Sequence, residues 1–403
     1  MIVQGIHPYH RHHRHHPGSG PVPTPPTPVP TPPEPPLPAP PPSPPAPTVP
    51  PPPTGVWNVP DLCARYQWPT NLPGGGTIAV LEMAGGYYLS DLAMACAAYN
   101  LPLPTITDVS VDGTMNSPGN PNVDLEATLD VQFAALSYAV ATGGKPANIR
   151  VYWTQDISAA IAAAQADDCY VFGGSWGADE AIWGQAALDE MGTTAAAATA
   201  AGMVILSASG DNDSSDGGPN ATNVDAPASI PTVIGCGGTS LALAAGSIEM
   251  VWNNDPGQTT GTGTGGGYSG FFPVQLWQLG TPAPAADWIG DGSPPSAGRL
   301  VPDIAMMADP QVGINVVYQG QWLPGGIGGT SVVPHILGGL LAATGVMLGN
   351  ILPTLWASQT DFVDITSGDN GAYEAAVGPD PCSGIGRVVG DNVAALFAPA
   401  PAT

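Results

Sequence analysis

Residues 149–175 read IRVYWTQDISAAIAAAQADDCYVFGGS, with an apolar run at each end and an alanine-rich run between them. The end runs have the length and the Val, Tyr and Phe content of strands, whereas alanine is the strongest helix former. A strand, a helix and a further strand in this order predict two parallel strands joined by a crossover helix. The stretch therefore indicates an α/β fold.

The same alternation continues over the chain from Val56 onwards. Apolar strands that alternate with Ala-rich helices predict a mostly parallel, doubly wound sheet with helices on both faces. In such sheets functional sites lie beyond the carboxyl ends of the strands. The predicted strands are 77–82, 109–111, 149–153, 169–175, 203–207 and 232–236. The predicted helices are 89–99, 126–141, 157–166, 184–200 and 331–347.

The chain is strongly acidic. Its 403 residues include 7 basic and 32 acidic side chains, for a formal charge of −25. This charge excludes nucleic acid as a partner, because phosphate binding requires a basic surface. Repulsion between carboxylates is relieved as they take up protons, so we expect greater stability near pH 4 than near pH 8.

The first 54 residues differ in composition from the rest. Residues 1–16 form a His- and Arg-rich head that suits either metal binding or a charge-switching tail, and we favour the tail because no second ligand cluster accompanies it. Residues 17–54 are proline-rich, which predicts an extended linker. We therefore expect a disordered N-terminal tail followed by one domain at 55–403. The head lacks the apolar stretch of a secretory signal, and the longest apolar run, 336–348, is too short to span a bilayer.

Five cysteines are spread widely along the chain and include no metal-type CxxC pair. Their odd number leaves at least one unpaired within a monomer. We expect buried thiols with at most one or two disulfides. These cysteines are Cys63, Cys96, Cys169, Cys236 and Cys382.

A carboxyl pair lies on the predicted helix 126–141. Glu126 and Asp130 are four residues apart and so share one helix face, while their neighbours are mostly apolar. A buried charge must be paired or neutralised, and two carboxyl groups that share a proton satisfy this, with one of them able to act as a base. A solvated helix face is the alternative.

Two further turns carry candidate chemistry. Asp211 follows the strand 203–207 and either closes a turn or, when protonated, donates a hydrogen bond to an oxyanion. Gly328-Gly-Thr-Ser331 leads into an apolar helix, so Ser331 is either an N-cap or a nucleophile at the positive end of the helix dipole. A serine nucleophile needs a base. His335 is the sole histidine of residues 56–403 and lies one turn further along the same helix, a poor position for a base, which leaves a carboxylate.

Residues 364–380 combine acids with glycine-rich turns. Asp364 and Asp380, with backbone carbonyls between them, suit Ca²⁺, which takes six to eight oxygen ligands. A set of turns closed by Asp and Asn side chains is the alternative.

Taken in this order, these residues resemble the sedolisin family of serine-carboxyl peptidases, and its kumamolisin-like members in particular. The similarity runs from about Val56 to the C-terminus. Further segments that match are TIAVLE (77–82), GSWG (174–177), PAS (227–229), CGGT (236–239), GGGYS (265–269) and VPDI (301–304).

The resemblance implies a subtilisin-like fold and a role for each candidate residue. Ser331 matches the nucleophile, Glu126 its general base, Asp130 the acid that orients Glu126, and Asp211 the oxyanion donor. Glu82 and Trp176 match positions that extend this hydrogen-bond network. One structural Ca²⁺ is implied, with ligands at Asp364, Ile365, Ala376, Gly378 and Asp380.

The function implied is an acid-acting endopeptidase with protein or peptide substrates, a monomer without a membrane span, secreted by a route that the sequence does not indicate. Relatives generally carry a large N-terminal prodomain, whereas the His- and Pro-rich segment here is not expected to fold as one. The alternatives are an inactive protein of the same fold, displayed on a cell or virion, and a glycosidase that uses Glu126 and Asp130. The presence of Ser331, Glu126, Asp130 and Asp211 together argues against both.

Two features depart from the family pattern. Only two residues separate Ser331 from Pro334, where the family usually has three, so we expect the start of this helix to be repacked. The loop 364–380 is also slightly shorter than in the family, so the match is weakest for the ligands in the middle of the loop.

Overall fold

The computed structural model describes residues 49–279 and 298–397. The predicted head at 1–16 and most of the predicted linker at 17–54 lie outside these residues. The helices are α1 (Val59–Arg65), α2 (Leu89–Ala98), α3 (Pro121–Ala141), α4 (Ile157–Ala166), α5 (Glu180–Ala200), α6 (Val332–Ala343), α7 (Leu352–Ala357) and α8 (Gly390–Phe397).

The strands alternate with these helices along the chain. In order they are β1 (Thr77–Glu82), β2 (Thr105–Ser110), β3 (Asn148–Trp153), β4 (Val171–Gly174), β5 (Ala178–Asp179), β6 (Val204–Ala208), β7 (Asp225–Ala226), β8 (Ile234–Ser240), β9 (Met250–Val251), β10 (Gly267–Pro273), β11 (Gly298–Val301), β12 (Ile304–Met307), β13 (Val317–Tyr318) and β14 (Gln321–Trp322).

The main sheet has the strand order β12-β8-β6-β4-β1-β3-β2, and all these strands run parallel. The short strand β9 pairs with β8 in the antiparallel direction. The stretch 149–175 forms β3, α4 and β4, as predicted, although β1 lies between its two strands in the sheet. The predicted α/β class with a mostly parallel sheet is confirmed.

Both faces of the sheet are covered. Successive side chains of a strand point to opposite faces, and β1 shows the division clearly. Ile78 and Val80 pack into the core formed with α3 and α6, whereas Ala79 and Leu81 pack into the core formed with α4 and α5. A strand buried on both sides must be apolar throughout, which explains why these segments read as continuous apolar runs.

Several boundaries differ from the prediction, among them the start of α5 at Glu180 rather than at 184 and β2 at Thr105–Ser110 rather than at 109–111. The differences at the start of α3 and at the end of α6 have a visible cause. Helix α3 begins at Pro121 rather than at 126, because proline suits the first helical position and the Asn120 side chain accepts a hydrogen bond from the Asn122 N–H. Helix α6 ends at Ala343 rather than at 347. Gly345 has a φ of 68°, and a side chain at that position would collide with the Gly74 carbonyl oxygen.

The cysteines are buried and free, which agrees with the expected buried thiols. Within the described residues, no helix is both long and apolar enough to cross a membrane.

Candidate active site

The predicted site residues lie on five elements that meet at the carboxyl edge of the sheet. Glu82 ends β1, Trp176 follows β4 and Asp211 follows β6. Glu126 and Asp130 lie in the first half of α3, and Ser331 immediately precedes α6. The segments were predicted separately, and the parallel topology brings their ends together because all these strands point the same way.

Helices α3 and α6 lie side by side on one face of the sheet in close contact. The Ser137 hydroxyl donates to the Ile336 carbonyl at 2.8 Å. Gly339 packs against the same Ser137 and against the Ala134 carbonyl, so that any side chain at Gly339 would collide with α3. The close approach fixes α6, and with it Ser331, relative to the acids of α3.

Ser331 occupies the N-cap position of α6, but its side chain makes no capping hydrogen bond. Its backbone is already helical, with φ −51° and ψ −33°, whereas a capping serine has extended backbone angles. The side chain is 8% exposed and close enough to Glu126 for its hydroxyl to favour the ionised carboxylate. The structure therefore does not support a capping role for this hydroxyl.

Glu126 is almost completely buried, at 9% exposure. Burial raises its pKa to about 7, the Ser331 hydroxyl opposes the rise, the charge of Asp211 adds to it, and His335 opposes it. Oε1 of Glu126 has no hydrogen-bond partner among the described residues. A carboxylate with a free oxygen and a raised pKa beside a serine hydroxyl has the properties of a general base.

Asp130 lies one turn further along α3 and is fully buried. The Ser175 hydroxyl donates to its Oδ1 at 3.0 Å, and the Nε2 atom of His335 lies 2.8 Å from its Oδ2. Burial, and then the charge of Glu126, raise the pKa of Asp130 well above its ordinary value, while hydrogen bonds with Ser175 and Glu82 oppose this.

Glu82 lies next to these two acids, and Trp176 lies next to Glu82. The Trp176 indole N–H donates to Glu82 Oε2 at 3.1 Å, and Glu82 is fully buried. Burial, and then the charges of Asp130 and Glu126, raise the pKa of Glu82 well above its ordinary value. Three buried carboxyl groups in a row cannot all ionise, so the row holds shared protons.

Asp211 is tied to the residue next to Ser331. Its Oδ1 accepts hydrogen bonds from the Thr330 N–H at 2.7 Å and the Thr330 hydroxyl at 2.8 Å. Burial raises its pKa, which these two donors oppose. Gly329 has a φ of 122°, and a Cβ atom there would lie 2.6 Å from Asp211 Oδ2. The contact spans 119 residues of chain, so Asp211 does more than close a local turn.

The structure adds three residues to which the sequence had assigned no role in the site. Ser175 and Thr330 each donate to one of the site acids, and Nε2 of His335 lies 2.8 Å from Asp130 Oδ2. Ser175 lies inside the matched GSWG segment, directly before Trp176. The equal spacing of two residue pairs could have indicated the position of His335, since Ser331 and His335 are four residues apart, as are Glu126 and Asp130.

Four of the five predicted calcium residues, Asp364, Ala376, Gly378 and Asp380, meet at one turn, 376–378. Asp364 Oδ2 accepts from the Gly378 N–H at 2.8 Å, and Asp380 Oδ2 accepts from the Ala376 N–H at 3.1 Å. Asp380 Oδ1 accepts from the N–H groups of Cys382 and Ser383, as in the alternative of side-chain-closed turns. The donor set fits Ca²⁺ in kind, since all the ligands are oxygens, but N–H groups are directed at both carboxylates. The described residues contain no group of three or more His, Cys, Asp or Glu side chains placed to hold a metal.

Comparison with known proteins bears on this arrangement. The model of the subtilase family matches residues 138–335. Kumamolisin of Bacillus sp. (strain MN-32) is 38% identical over 354 residues, which cover 82% of this chain. The solved structure of Pseudomonas sedolisin, a serine-carboxyl proteinase complexed with pseudo-iodotyrostatin, superposes with a TM-score of 0.71 and 25% identity, over 84% of this chain and 97% of that one. The chain belongs to the sedolisin family.

As in other members of the sedolisin family, the fold is subtilisin-like. Sphericase, at 18% identity and a TM-score of 0.51 over 83% of this chain and 97% of that one, shares the fold alone. Sedolisin of Pseudomonas sp. (strain 101) is 31% identical over 48% of this chain. The chain spans 61% of the length of kumamolisin and 34% of that of this sedolisin sequence.

Proposed function

We propose that this chain is a serine-carboxyl endopeptidase that hydrolyses peptide bonds at acidic pH. The observation that carries the proposal is the Ser331 hydroxyl, which is not used to cap α6 and lies beside the buried carboxyl group of Glu126. The family relationship to kumamolisin and sedolisin supports the same chemistry. Residues 56–403 include one histidine, and it contacts Asp130, so the base in this proposal is a carboxylate.

In the acylation step Glu126 takes the proton of Ser331 as the serine oxygen attacks the peptide carbonyl carbon. Asp211, protonated, donates a hydrogen bond to the oxyanion that forms. The carbon–nitrogen bond then breaks, and Glu126 transfers its proton to the leaving amine. Asp130 holds Glu126 in place, with Ser175 donating to Asp130 from the other side.

Deacylation reverses the roles. Glu126 takes a proton from a water molecule as the water oxygen attacks the ester carbonyl, and Asp211 again stabilises the oxyanion. The ester bond to Ser331 breaks, and Glu126 returns its proton to the serine oxygen. The enzyme is thereby restored, and the atoms of one water molecule are divided between the two products.

The pH dependence follows from two opposite requirements, since Glu126 must be ionised while Asp211 keeps its proton. Such a pair gives a bell-shaped profile centred midway between the two pKa values. Burial raises the pKa of Glu126 to about 7 and also raises that of Asp211. An optimum below pH 6, as the sequence predicts, requires Asp211 to lose its proton at lower pH than Glu126, so that the active form is a minor one.

The decisive experiment is cleavage of casein and of peptides from pH 2 to pH 8. We expect Ser331→Ala and Glu126→Ala to lose activity by about 10³-fold or more, as loss of a nucleophile or its base does in serine peptidases. Ser247→Ala is the control, because Ser247 hydrogen-bonds only to the Ala244 carbonyl in a surface turn. Hydrolysis that persists in Ser331→Ala would refute the proposal, and inactivity of the unmodified chain at every pH would favour the binding-protein alternative.

We further propose one structural Ca²⁺ at the turn 376–378, held by Asp364, Asp380 and the carbonyls of Ile365, Ala376 and Gly378. Two carboxylates on one turn and the wholly oxygen donor set support it, although the N–H groups of Ala376 and Gly378 would have to turn away. Such an ion would tie Asp364 to the segment 376–380 and would take no part in the reaction.

The proposed peptidase acts on proteins or peptides as a monomer outside the cell. An enzyme that needs a protonated Asp211 requires acidic surroundings, which supports a place of action outside the neutral cytoplasm. The net charge of −25 also falls in magnitude as carboxylates take up protons there.

A further inference from the structure

We infer that His335 is a positioning residue, which holds Asp130 by direct contact and through the Ser175 hydroxyl and so keeps the Glu126 base in register with Ser331. The inference rests on the proposed peptidase function. It concerns a residue four positions after the nucleophile, whose contact with Asp130 the sequence had not predicted.

The two helices carry matching pairs of residues. Ser331 and His335 are one turn apart at the start of α6, and Glu126 and Asp130 are one turn apart on α3. Ser331 lies beside Glu126, and His335 lies beside Asp130. The same spacing continues to Gly339, which packs against α3 one turn further on. The helices therefore run parallel, with facing residues at successive turns. The polar contact between His335 and Asp130 supports the neighbouring pair of Ser331 and Glu126.

The ring of His335 is held from three sides. It is fully buried, with Nε2 at 2.8 Å from Asp130 Oδ2 and 3.0 Å from the Ser175 hydroxyl oxygen. On the remaining side lies Gly173 of β4, where a Cβ atom would approach the ring carbon Cε1 to 2.8 Å. Gly173 thus leaves the space that the imidazole fills. A ring held in this way can fix the position of the carboxylate that it contacts.

The hydrogen-bond partners indicate where the ring carries its proton. Nδ1 has no partner among the described residues, whereas Nε2 is hydrogen-bonded to the Ser175 hydroxyl. Burial lowers the pKa of His335 to about 3, and the charge of Glu126 opposes this, so the ring is neutral over most of the working range. A neutral ring with its proton on Nε2 donates to the Ser175 hydroxyl oxygen at 3.0 Å, and Ser175 in turn donates to Asp130 Oδ1. Asp130 Oδ2 lies 2.8 Å from Nε2 but has no hydrogen-bond partner among the described residues.

Several charged groups face this site and share in its titration. Helix α3 presents Glu126 and Asp130, β1 presents Glu82 next to Asp130, and the loop after β6 presents Asp211, which acts on Glu126. A charged imidazole would lower the pKa of Glu126, but the ring is neutral over most of the working range. Removal of the imidazole should therefore leave the pH limits of activity in place and act on kcat through the position of Asp130.

The test compares His335→Gln with His335→Leu in the full chain, with kcat, KM and pH profile measured per folded molecule. Glutamine keeps an N–H donor near the position of Nε2, and leucine has none. We expect leucine to lower kcat by about tenfold or more, because a small displacement of a catalytic group has effects of that size, with KM almost unchanged. Glutamine should recover most of kcat, and neither variant should move the pH limits of activity, because the ring that is replaced is neutral there.

Leu340→Ala is the matched control, because Leu340 is buried in α6 among core residues. It should lower the melting temperature and leave kcat per folded molecule unchanged. If His335→Leu keeps the normal kcat while Ser331→Ala is inactive, the inference is wrong and the proposed function stands. If His335→Leu fails to fold, Ser175→Ala replaces it, because it removes the hydroxyl that links the ring to Asp130, and an unchanged kcat in that variant would refute the inference. Activity in Ser331→Ala would overturn the function and the inference together.

Discussion

The protein buries carboxyl groups in two different ways. At the β11–β12 connection, Asp303 contacts the Arg299 guanidinium at 2.6 Å and also accepts from the Gly235 N–H and the Trp356 indole. Burial raises the pKa of Asp303, and the guanidinium and the other donors oppose this rise. The row Glu82, Asp130 and Glu126 is buried just as deeply but receives no hydrogen bond from any lysine or arginine of the described residues.

The two kinds of burial suit different roles, one structural and one chemical. A guanidinium keeps its charge at every working pH, so the Arg299–Asp303 pair is a fixed connection within the core. The α3 row is held by a hydroxyl, an indole and an imidazole, which leave its protons mobile. A base must exchange a proton during each turnover, so a permanent cation beside Glu126 would favour ionisation but oppose the return of that proton.

The largest effect should come from breaking the fixed pair. Arg299→Met leaves Asp303 buried without its cation and should lower the free energy of unfolding by about 3–5 kcal/mol. Arg150→Met is the control, since Arg150 and Asp167 form a pair with 33% and 35% exposure, and should cost at most about 1 kcal/mol. Glu126→Gln should instead leave stability equal or increased, because it removes a buried titrating group. Urea unfolding measures all three, and equal losses for Arg299→Met and Glu126→Gln would contradict the comparison.

A smaller effect is expected in the pH dependence of stability. Burial raises the pKa of Glu126 to about 7 and, together with Asp255 and Asp369, raises that of Asp213 to about 7. A carboxyl group whose pKa is raised on folding binds more protons in the folded state, so its contribution is full near pH 4 and is lost as pH rises to about 7.

The melting temperature of Ser331→Ala, chosen to avoid self-digestion, should therefore fall from pH 4 to pH 8. Asp213→Asn should flatten this fall, because it removes one of the titrating groups. A melting temperature that rises steadily over the same range would refute both this expectation and the prediction made from the net charge.

The smallest effect concerns Asp380, a third kind of buried acid, which is held by backbone N–H groups. If Asp380 binds the proposed Ca²⁺, addition of Ca²⁺ at a saturating millimolar concentration should raise the melting temperature by a few degrees at pH 7. A chelator should reverse this rise. Asp380→Asn should abolish the response, and Asp91→Asn, a buried acid on α2 that also accepts backbone N–H groups, should keep it. No response in the unmodified chain would rule out the ion.

Much of the site was within reach of the sequence. Glu126 and Asp130 were recognisable because two acids among apolar neighbours on one helix face need a chemical reason, and the order of motifs gave Ser331 and Asp211 their candidate roles. The roles of Ser175 and Thr330 were out of reach, since each acts through a hydrogen bond to a residue 45 or 119 positions away. His335 was rejected as a base by its spacing from Ser331, and the structure places it beside Asp130.

The sequence by itself determined the α/β class, the buried acid-bearing helix and the family resemblance, because apolar periodicity and motif order are local properties of the chain. Only the tertiary structure decided that the Ser331 hydroxyl is not a cap, that no lysine or arginine of the described residues bonds to the carboxyl row, and that the imidazole of His335 lies beside Asp130. These depend on which turns of α3 and α6 face each other. That register is set by close packing at Gly339 and at Gly173, where the absence of a side chain matters only once the neighbour is known.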